Sequence, residues 1–375
     1  MDSNFPVKVL MINYMMQCAG IESFIMNMYR NVEKTKVQFD FLVHYTKRQF
    51  YDDEIERMGG KIYRLSIRED NNFPKYTRDL KNFFSEHPEY KIVHGHMESF
   101  GGFYLSAAKK AGVPVRIAHS HIAQKNKGFK GTFKNVLNRS FKTFATDLFA
   151  CSDAAGKFVF GNNADFTVYN NAIDTSLFAY QEEIRNNVRQ ELGIAPDKFV
   201  IGHVGRFNAQ KNHDFLIDIF REVKIQDSSA VLLLIGEGNL ENRIKSRIKA
   251  FGLEDSVRLL GIRRDVNRLY QAMDVFVMPS LFEGLPVSGI EAQTAGLKCI
   301  FSDRVTKQTA LTENAGFLPL ESGAGRWAHS ILEYHTGYSR NDVTTTIIHA
   351  GYDIKDQANK LQDFYLERYY SLEKY

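Results

Sequence analysis

A pattern that runs twice is the first constraint on how this chain can fold. Between residues 7 and 152, short apolar runs alternate with stretches of helical periodicity. A polar, irregular break follows at 170–197, and then the alternation restarts and continues to residue 302. In the first series the spacing predicts strands at 7–14, 39–45, 61–65, 92–97, 113–120 and 148–152, with helices at 21–31, 53–58, 76–85, 101–110 and 132–144. In the second it predicts strands at 199–204, 230–235, 257–260, 275–279 and 299–302, with helices at 214–223, 240–251, 266–272 and 287–295. Alternation of this kind implies largely parallel sheets with helices on both faces. The expected fold class is α/β, as two Rossmann-like doubly wound domains facing across a cleft. The expected boundaries are 1–170, a linker at 171–196, 197–352, and a final helix over 353–375. A length of 375 residues suffices for two such domains. Ligands of such sheets bind at the carboxyl ends of the strands.

One stretch of the second series carries most of the chemistry. The apolar run Asp274-Val275-Phe276-Val277-Met278-Pro279-Ser280 leads into Phe282-Glu283-Gly284-Leu285-Pro286-Val287-Ser288-Gly289-Ile290-Glu291, and a helical pattern follows. Loop amides, here around Gly284 and Leu285 ahead of Pro286, together with a helix N-terminus make a phosphate site at a strand end. Two carboxylates are out of place at an anion site unless each accepts hydrogen bonds from hydroxyls. One set on a sugar and one on a ribose would fit; the combination points to a sugar nucleotide. Upstream, Gly205-Arg206-Phe207-Asn208-Ala209-Gln210-Lys211-Asn212 puts two cations at another strand–helix junction. Taken alone, Arg206 and Lys211 are also readable as surface cations near a turn. Beside the acidic loop they read as a diphosphate clamp, strongest where a departing nucleoside diphosphate develops charge.

Weaker signals follow the neighbouring strands. Gly236-Glu237-Gly238 is a nucleotide-binding loop or only a tight turn. Gly261-Ile262-Arg263-Arg264-Asp265 either offers its backbone around Arg263 to a nucleobase or is a plain connection. In the first domain, Gly20 between the first strand and helix would let the backbone approach a phosphate closely. His94 and His96 end one strand, and His119 and His121 end another. Alternate strand residues share a face, so the pairs invite a metal reading. Without cysteine or clustered acid beside them, histidines that line the cleft, or that are simply hydrogen-bonded at a strand end, fit better. No Asp-x-Asp sequence supplies hard oxygen ligands for Mg²⁺ or Mn²⁺.

Composition excludes several classes. No run approaches a membrane span, and the N-terminal residues lack the basic-then-apolar layout of a signal peptide. Cys18, Cys151 and Cys299 have neither metal-type nor disulfide-framework spacing, which fits a reducing cytoplasm. The net charge of +4 is uneven: 99–146 contains no Asp or Glu but holds Lys109, Lys110, Arg116, Lys125, Lys127, Lys130, Lys134, Arg139 and Lys142. Phe129, Phe133, Leu137, Phe141 and Phe144 are interleaved with them. This is either a solvated basic face or a surface that meets anionic lipid; no nucleic-acid recognition motif accompanies it.

These residues resemble the retaining glycosyltransferases of the GT-B fold, family GT4, over nearly the whole chain. The likeness is to bacterial enzymes that build exopolysaccharide, capsule or O-antigen. Glu283-x7-Glu291 matches that family's E-x7-E signature. Supporting matches are Gly205-Arg206…Lys211-Asn212 and Asn170-Asn171-Ala172-Ile173-Asp174, where the family usually has Pro-Asn-Gly-Ile-Asp. The resemblance implies that Glu283 contacts donor-sugar hydroxyls, Glu291 the ribose, and Arg206 and Lys211 the diphosphate, with Gly20 facing it from the first domain. It gives His119 a place near the reacting carbon, and it packs the final helix back on the first domain. It implies metal-independent transfer, with retention, from a nucleotide-sugar donor. UDP is the expected nucleotide, and the expected acceptor is a polyprenyl-linked oligosaccharide at the cytoplasmic membrane face. Ala19, in place of a first glycine, and Asn171-Ala172 depart from the family pattern but spare the Arg/Lys/Glu set. A non-catalytic GT-B subunit binding glycan or a partner enzyme, and a GT-B sugar-nucleotide epimerase, are the alternatives. An NAD(P)-dependent oxidoreductase would need Gly-x-Gly-x-x-Gly after the first strand, which 14–22 does not supply.

Overall fold

The structure is a computed structural model that describes residues 5–18, 20–121 and 141–372. It divides into two compact units, residues 1–172 with 354–375 and residues 173–353.

The first unit is built on seven parallel strands: β1 (Val7–Ile12), β2 (Val37–Val43), β3 (Ile62–Arg64), β4 (Ile92–Gly95), β5 (Val115–Ser120), β6 (Asp147–Ala150) and β7 (Thr167–Val168). Their order is β3-β2-β1-β4-β5-β6-β7. The central strands β1, β2, β4 and β5 are almost wholly buried because helices cover both faces, while the edge strands β3 and β7 are half-buried. One face holds Phe24, Tyr29, Phe39 and Phe41, together with Ala358, Leu361 and Tyr365 of the last helix, Ile354–Ser371. Gln362 of that helix accepts the Glu33 N–H at 2.7 Å.

The second unit has six parallel strands: β8 (Val200–Val204), β9 (Val231–Ile235), β10 (Val257–Leu259), β11 (Val275–Met278), β12 (Lys298–Ser302) and β13 (Ala315–Leu318). Their order is β10-β9-β8-β11-β12-β13. In both sheets the winding reverses, at β1/β4 and at β8/β11, and each reversal opens a crevice at the carboxyl edge. Of the expected linker, 171–196, residues 173–196 lie within this unit. Arg185 and Arg189 of helix Glu182–Glu191 reach Asp274 at 2.6 and 2.7 Å. Arg340 donates to the carbonyls of Tyr270, Gln271, Met273 and Ala295, where two helices end. Three guanidinium groups thus tie the lower edge of the sheet together.

Among the described residues, no helix is long and apolar enough to cross a membrane. Residues 122–140 lie outside the description, and with them Lys125, Lys127, Lys130, Lys134, Arg139, Phe129, Phe133, Leu137 and most of the helix expected at 132–144. Ala19 lies outside it as well. What is described at 141–144 is a short 3₁₀ turn, Phe141–Phe144. Phe141 is fully buried, pressed onto Gly101 where any larger residue would collide with its ring. Arg116 and Lys142 donate to backbone carbonyls. Phe141 therefore serves the fold rather than a lipid surface, while Lys109, Lys110 and Lys142 are exposed.

Candidate active site

All the predicted second-domain loops arrive at one sheet edge. Gly205–Lys211 follows β8, Gly236 and Glu237 follow β9, Gly261 to Arg263 follow β10, and Pro279–Pro286 follow β11. The loops after β8 and β11, which flank the winding reversal, are laced together. Leu281 N–H donates to the Gln210 carbonyl at 2.8 Å, Gln210 Nε2 to the Phe282 carbonyl at 3.0 Å, and Asn212 Nδ2 to the Pro279 carbonyl at 3.1 Å. Asn212 makes its bond from a left-handed backbone (φ 56°), a conformation Asn tolerates better than most residues.

This lacing brings the two functional motifs into contact. Lys211 Nζ lies 2.7 Å from Glu283 Oε1, with the side chains 14% and 10% exposed. The contact is one of charge, since that carboxylate oxygen has no aligned hydrogen bond. Backbone bonds Glu283 N–H to Arg304 carbonyl and Thr306 N–H to Glu283 carbonyl, both 3.3 Å, fix the loop from the other side. Arg206 is exposed, and so is Gly284, where a Cβ would meet nothing within 4 Å. Pro286 precedes helix Val287–Thr294, whose start no side chain caps, so its first amides can serve an anion.

Glu291 lies on the second turn of that helix. Burial pushes its carboxyl up to about 7, against a partial downward pull from the Tyr270 hydroxyl, which donates to Oε2 at 2.9 Å. Arg263 is engaged by Asp265 through two bonds of 2.8 and 2.7 Å, and Glu237 is exposed. The Gly-x-Gly pair serves backbone packing. A Cβ on Gly236 would collide with the Gly205 carbonyl, and one on Gly238 with the Phe207 carbonyl. Phe207 N–H donates to the Glu237 carbonyl at 2.9 Å, closing the β8 and β9 loops onto each other.

In the first unit, Gly20 is exposed at the start of helix Gly20–Asn31, with open space where a side chain would be. The four histidines form a ladder. His94 Nε2 lies 3.0 Å from His119 Nδ1, and His96 Nδ1 lies 2.9 Å from His121 Nε2. His94 Nδ1 is 2.5 Å from the Tyr365 hydroxyl. Burial drives all four well below the ordinary imidazole range, so they are neutral near pH 7. His94, His96 and His119 each have a nitrogen within 4.8 Å of the others. With both His94 nitrogens engaged, however, the unpartnered ones are His96 Nε2 and His119 Nε2, short of the three protein ligands a zinc site requires.

His119, expected near the reacting carbon, is buried within β5. Residues i and i+2 share a strand face, but only the one past the strand end reaches the edge. That residue is His121, partly exposed, its N–H donating to Glu98 Oε1 at 2.7 Å. Tyr270 was missed altogether; nothing in its local sequence separates it from an ordinary core tyrosine.

Comparison with known proteins agrees with this architecture. The family described as "Glycosyl transferases group 1" matches residues 184–333. The Bacillus subtilis (strain 168) protein EpsF, named as a glycosyltransferase, is 34% identical over 372 residues, covering 96% of each chain. The UDP-Gal:alpha-D-GlcNAc-diphosphoundecaprenol alpha-1,3-galactosyltransferase of Escherichia coli is 28% identical over 314 residues, covering 77% of this chain and 80% of its own. The crystal structure of Anabaena Alr3699/HepE in complex with UDP and glucose shares the fold, with a TM-score of 0.72 at 16% identity over 98% of this chain and 99% of that one. Two doubly wound parallel sheets, the laced Lys211–Glu283 loops and a full-length relative at this identity place the chain among the group 1 glycosyltransferases, family GT4, of the GT-B fold.

Proposed function

We propose that this glycosyltransferase moves a sugar from a UDP-sugar to a hydroxyl of a polyprenyl-diphosphate-linked acceptor in cell-surface polysaccharide synthesis, with retention at the anomeric carbon. The observation that carries the donor reading is that Arg206, Lys211 and Glu283 lie on neighbouring loops at one sheet edge, with Glu291 on the helix that follows the second loop. The cations suit the diphosphate, and the carboxylates suit hydroxyls on either side of it. The UDP complex of the structural neighbour supports the nucleotide, and the diphosphoundecaprenol substrate named for the Escherichia coli relative supports the acceptor class.

In the proposed step the acceptor oxygen bonds to the anomeric carbon on the face that the diphosphate leaves. The C–O bond to phosphate breaks, its electron pair stays on the phosphate oxygen, and that oxygen takes the acceptor's proton. Arg206, Lys211 and the amides at the start of helix Val287–Thr294 stabilise the charge that develops. Glu283 orients the sugar and forms no covalent intermediate. The lipid carrier would hold the reaction at the cytoplasmic membrane face.

A thermal-shift panel of UDP-, GDP- and ADP-sugars tests the donor class, because a ligand selective for the native state raises the melting temperature. A shift with UDP-sugars alone is expected; selectivity for GDP- or ADP-sugars refutes the nucleotide.

A further inference from the structure

We infer that Tyr270 is a positioning residue for the nucleotide: its hydroxyl holds the Glu291 carboxylate so that the remaining lone pairs are presented to the ribose diol. This rests on the reading of Glu291 given above and extends it to a residue outside both signature loops.

Tyr270 comes from helix Val266–Ala272 and Glu291 from helix Val287–Thr294. The tyrosine is fully buried, its ring set by Phe178 and Phe276, each with centroids 5.9 Å away. Its oxygen lies 2.9 Å from Glu291 Oε2 and 3.1 Å from the Ser288 carbonyl, so it meets one helix face at positions i and i+3. A tyrosine hydroxyl has one proton to give, and the ionised carboxylate is the stronger acceptor. Of about four lone-pair sites on the carboxylate, that bond uses one. One site on Oε2 and two on Oε1 remain, enough for two hydroxyls on adjacent ribose carbons. Among the described residues no other side chain hydrogen-bonds to this carboxylate. Without Tyr270, the three side-chain torsions of Glu291 would have to be ordered by the nucleotide itself, which lowers affinity.

The test is calorimetric binding of UDP and 2′-deoxy-UDP to the full chain. The wild type is expected to prefer UDP. Tyr270→Phe keeps the packed ring and is expected to weaken UDP binding about tenfold while affecting 2′-deoxy-UDP less, so the preference shrinks. Glu291→Asp, which draws the carboxylate back from Tyr270 without altering the core, is expected to lose the preference likewise. A Tyr270→Phe protein that binds UDP as tightly as the wild type, or loses both ligands equally, overturns the inference. Glu291→Ala separates the two levels: unchanged UDP binding there removes the donor role of Glu291, and the inference with it.

Discussion

Replacing Glu291 by Gln is expected to make the protein more stable and its nucleotide binding weaker, and the pH dependence of the two effects identifies the cause. Burial raises this carboxyl from 4.5 to about 7. An acid with a higher pKa folded than unfolded holds its proton more tightly in the native state. Its stabilising contribution is therefore fully present below about pH 4.5 and is lost as pH rises through about 7. The difference between 4.5 and about 7, at ~1.4 kcal/mol per pH unit, is about 3 kcal/mol. The residue is still partly exposed, so solvent screening trims this to about 1–3 kcal/mol. Glutamine keeps an acceptor for Tyr270 and has nothing to ionise. Urea denaturation of both proteins should give nearly equal stabilities near pH 4.5, with the variant ahead by about 1–3 kcal/mol near pH 8. Groups common to both proteins cancel in the difference. UDP affinity of the wild type should fall as pH drops below about 7, while that of Glu291→Gln stays low and flat. Parallel stability curves, or a variant that is the less stable protein near pH 8, would refute the reasoning.

Two further predictions come from the loops around the clamp. Lys211→Met and Glu283→Gln should each lower sugar transfer by about 10²–10³-fold, the scale of losing one charge-stabilising or orienting group, with native circular dichroism retained; wild-type turnover in either contradicts the assignment. Gly236→Ala should cost more than about 2 kcal/mol, because φ is +133° and the new methyl collides with the Gly205 carbonyl; an unchanged unfolding midpoint would mean that the β8 and β9 loops part more easily than their hydrogen bonds imply.

The parts of this site that could be read in the sequence are those fixed by local geometry. A strand, a Gly/Pro loop and a helix in that order place Glu283 and Glu291 relative to one sheet edge whatever surrounds them, and the same holds for Arg206 and Lys211. Parallel order also follows from alternation, since helical crossovers leave few other arrangements. Long-range packing could not be read. β7 has two residues, and β13 carries Gly316 on a half-buried edge, so neither shows strand periodicity. The arginines of helix Glu182–Glu191 look like solvated charge until Asp274, far along the chain, is seen to pair with them. His119 and His121 are equivalent by spacing, and only the point where β5 stops distinguishes the buried one from the one at the edge. Tyr270 acts through a hydrogen bond to the next helix, across an intervening strand, which no local pattern encodes.

The Lys211–Glu283 contact lets two mostly enclosed charges sit side by side. Either alone would be costly at 14% or 10% exposure, and together they neutralise each other. A ligand that offered only phosphate would take the ammonium and leave the carboxylate without a counter-charge. A ligand that offered only sugar hydroxyls would do the reverse. A sugar nucleotide carries both partners in one molecule, with the hydroxyls next to the diphosphate, so separating the pair strands neither side. On the proposed reading, this pairing would therefore favour the intact donor over its fragments.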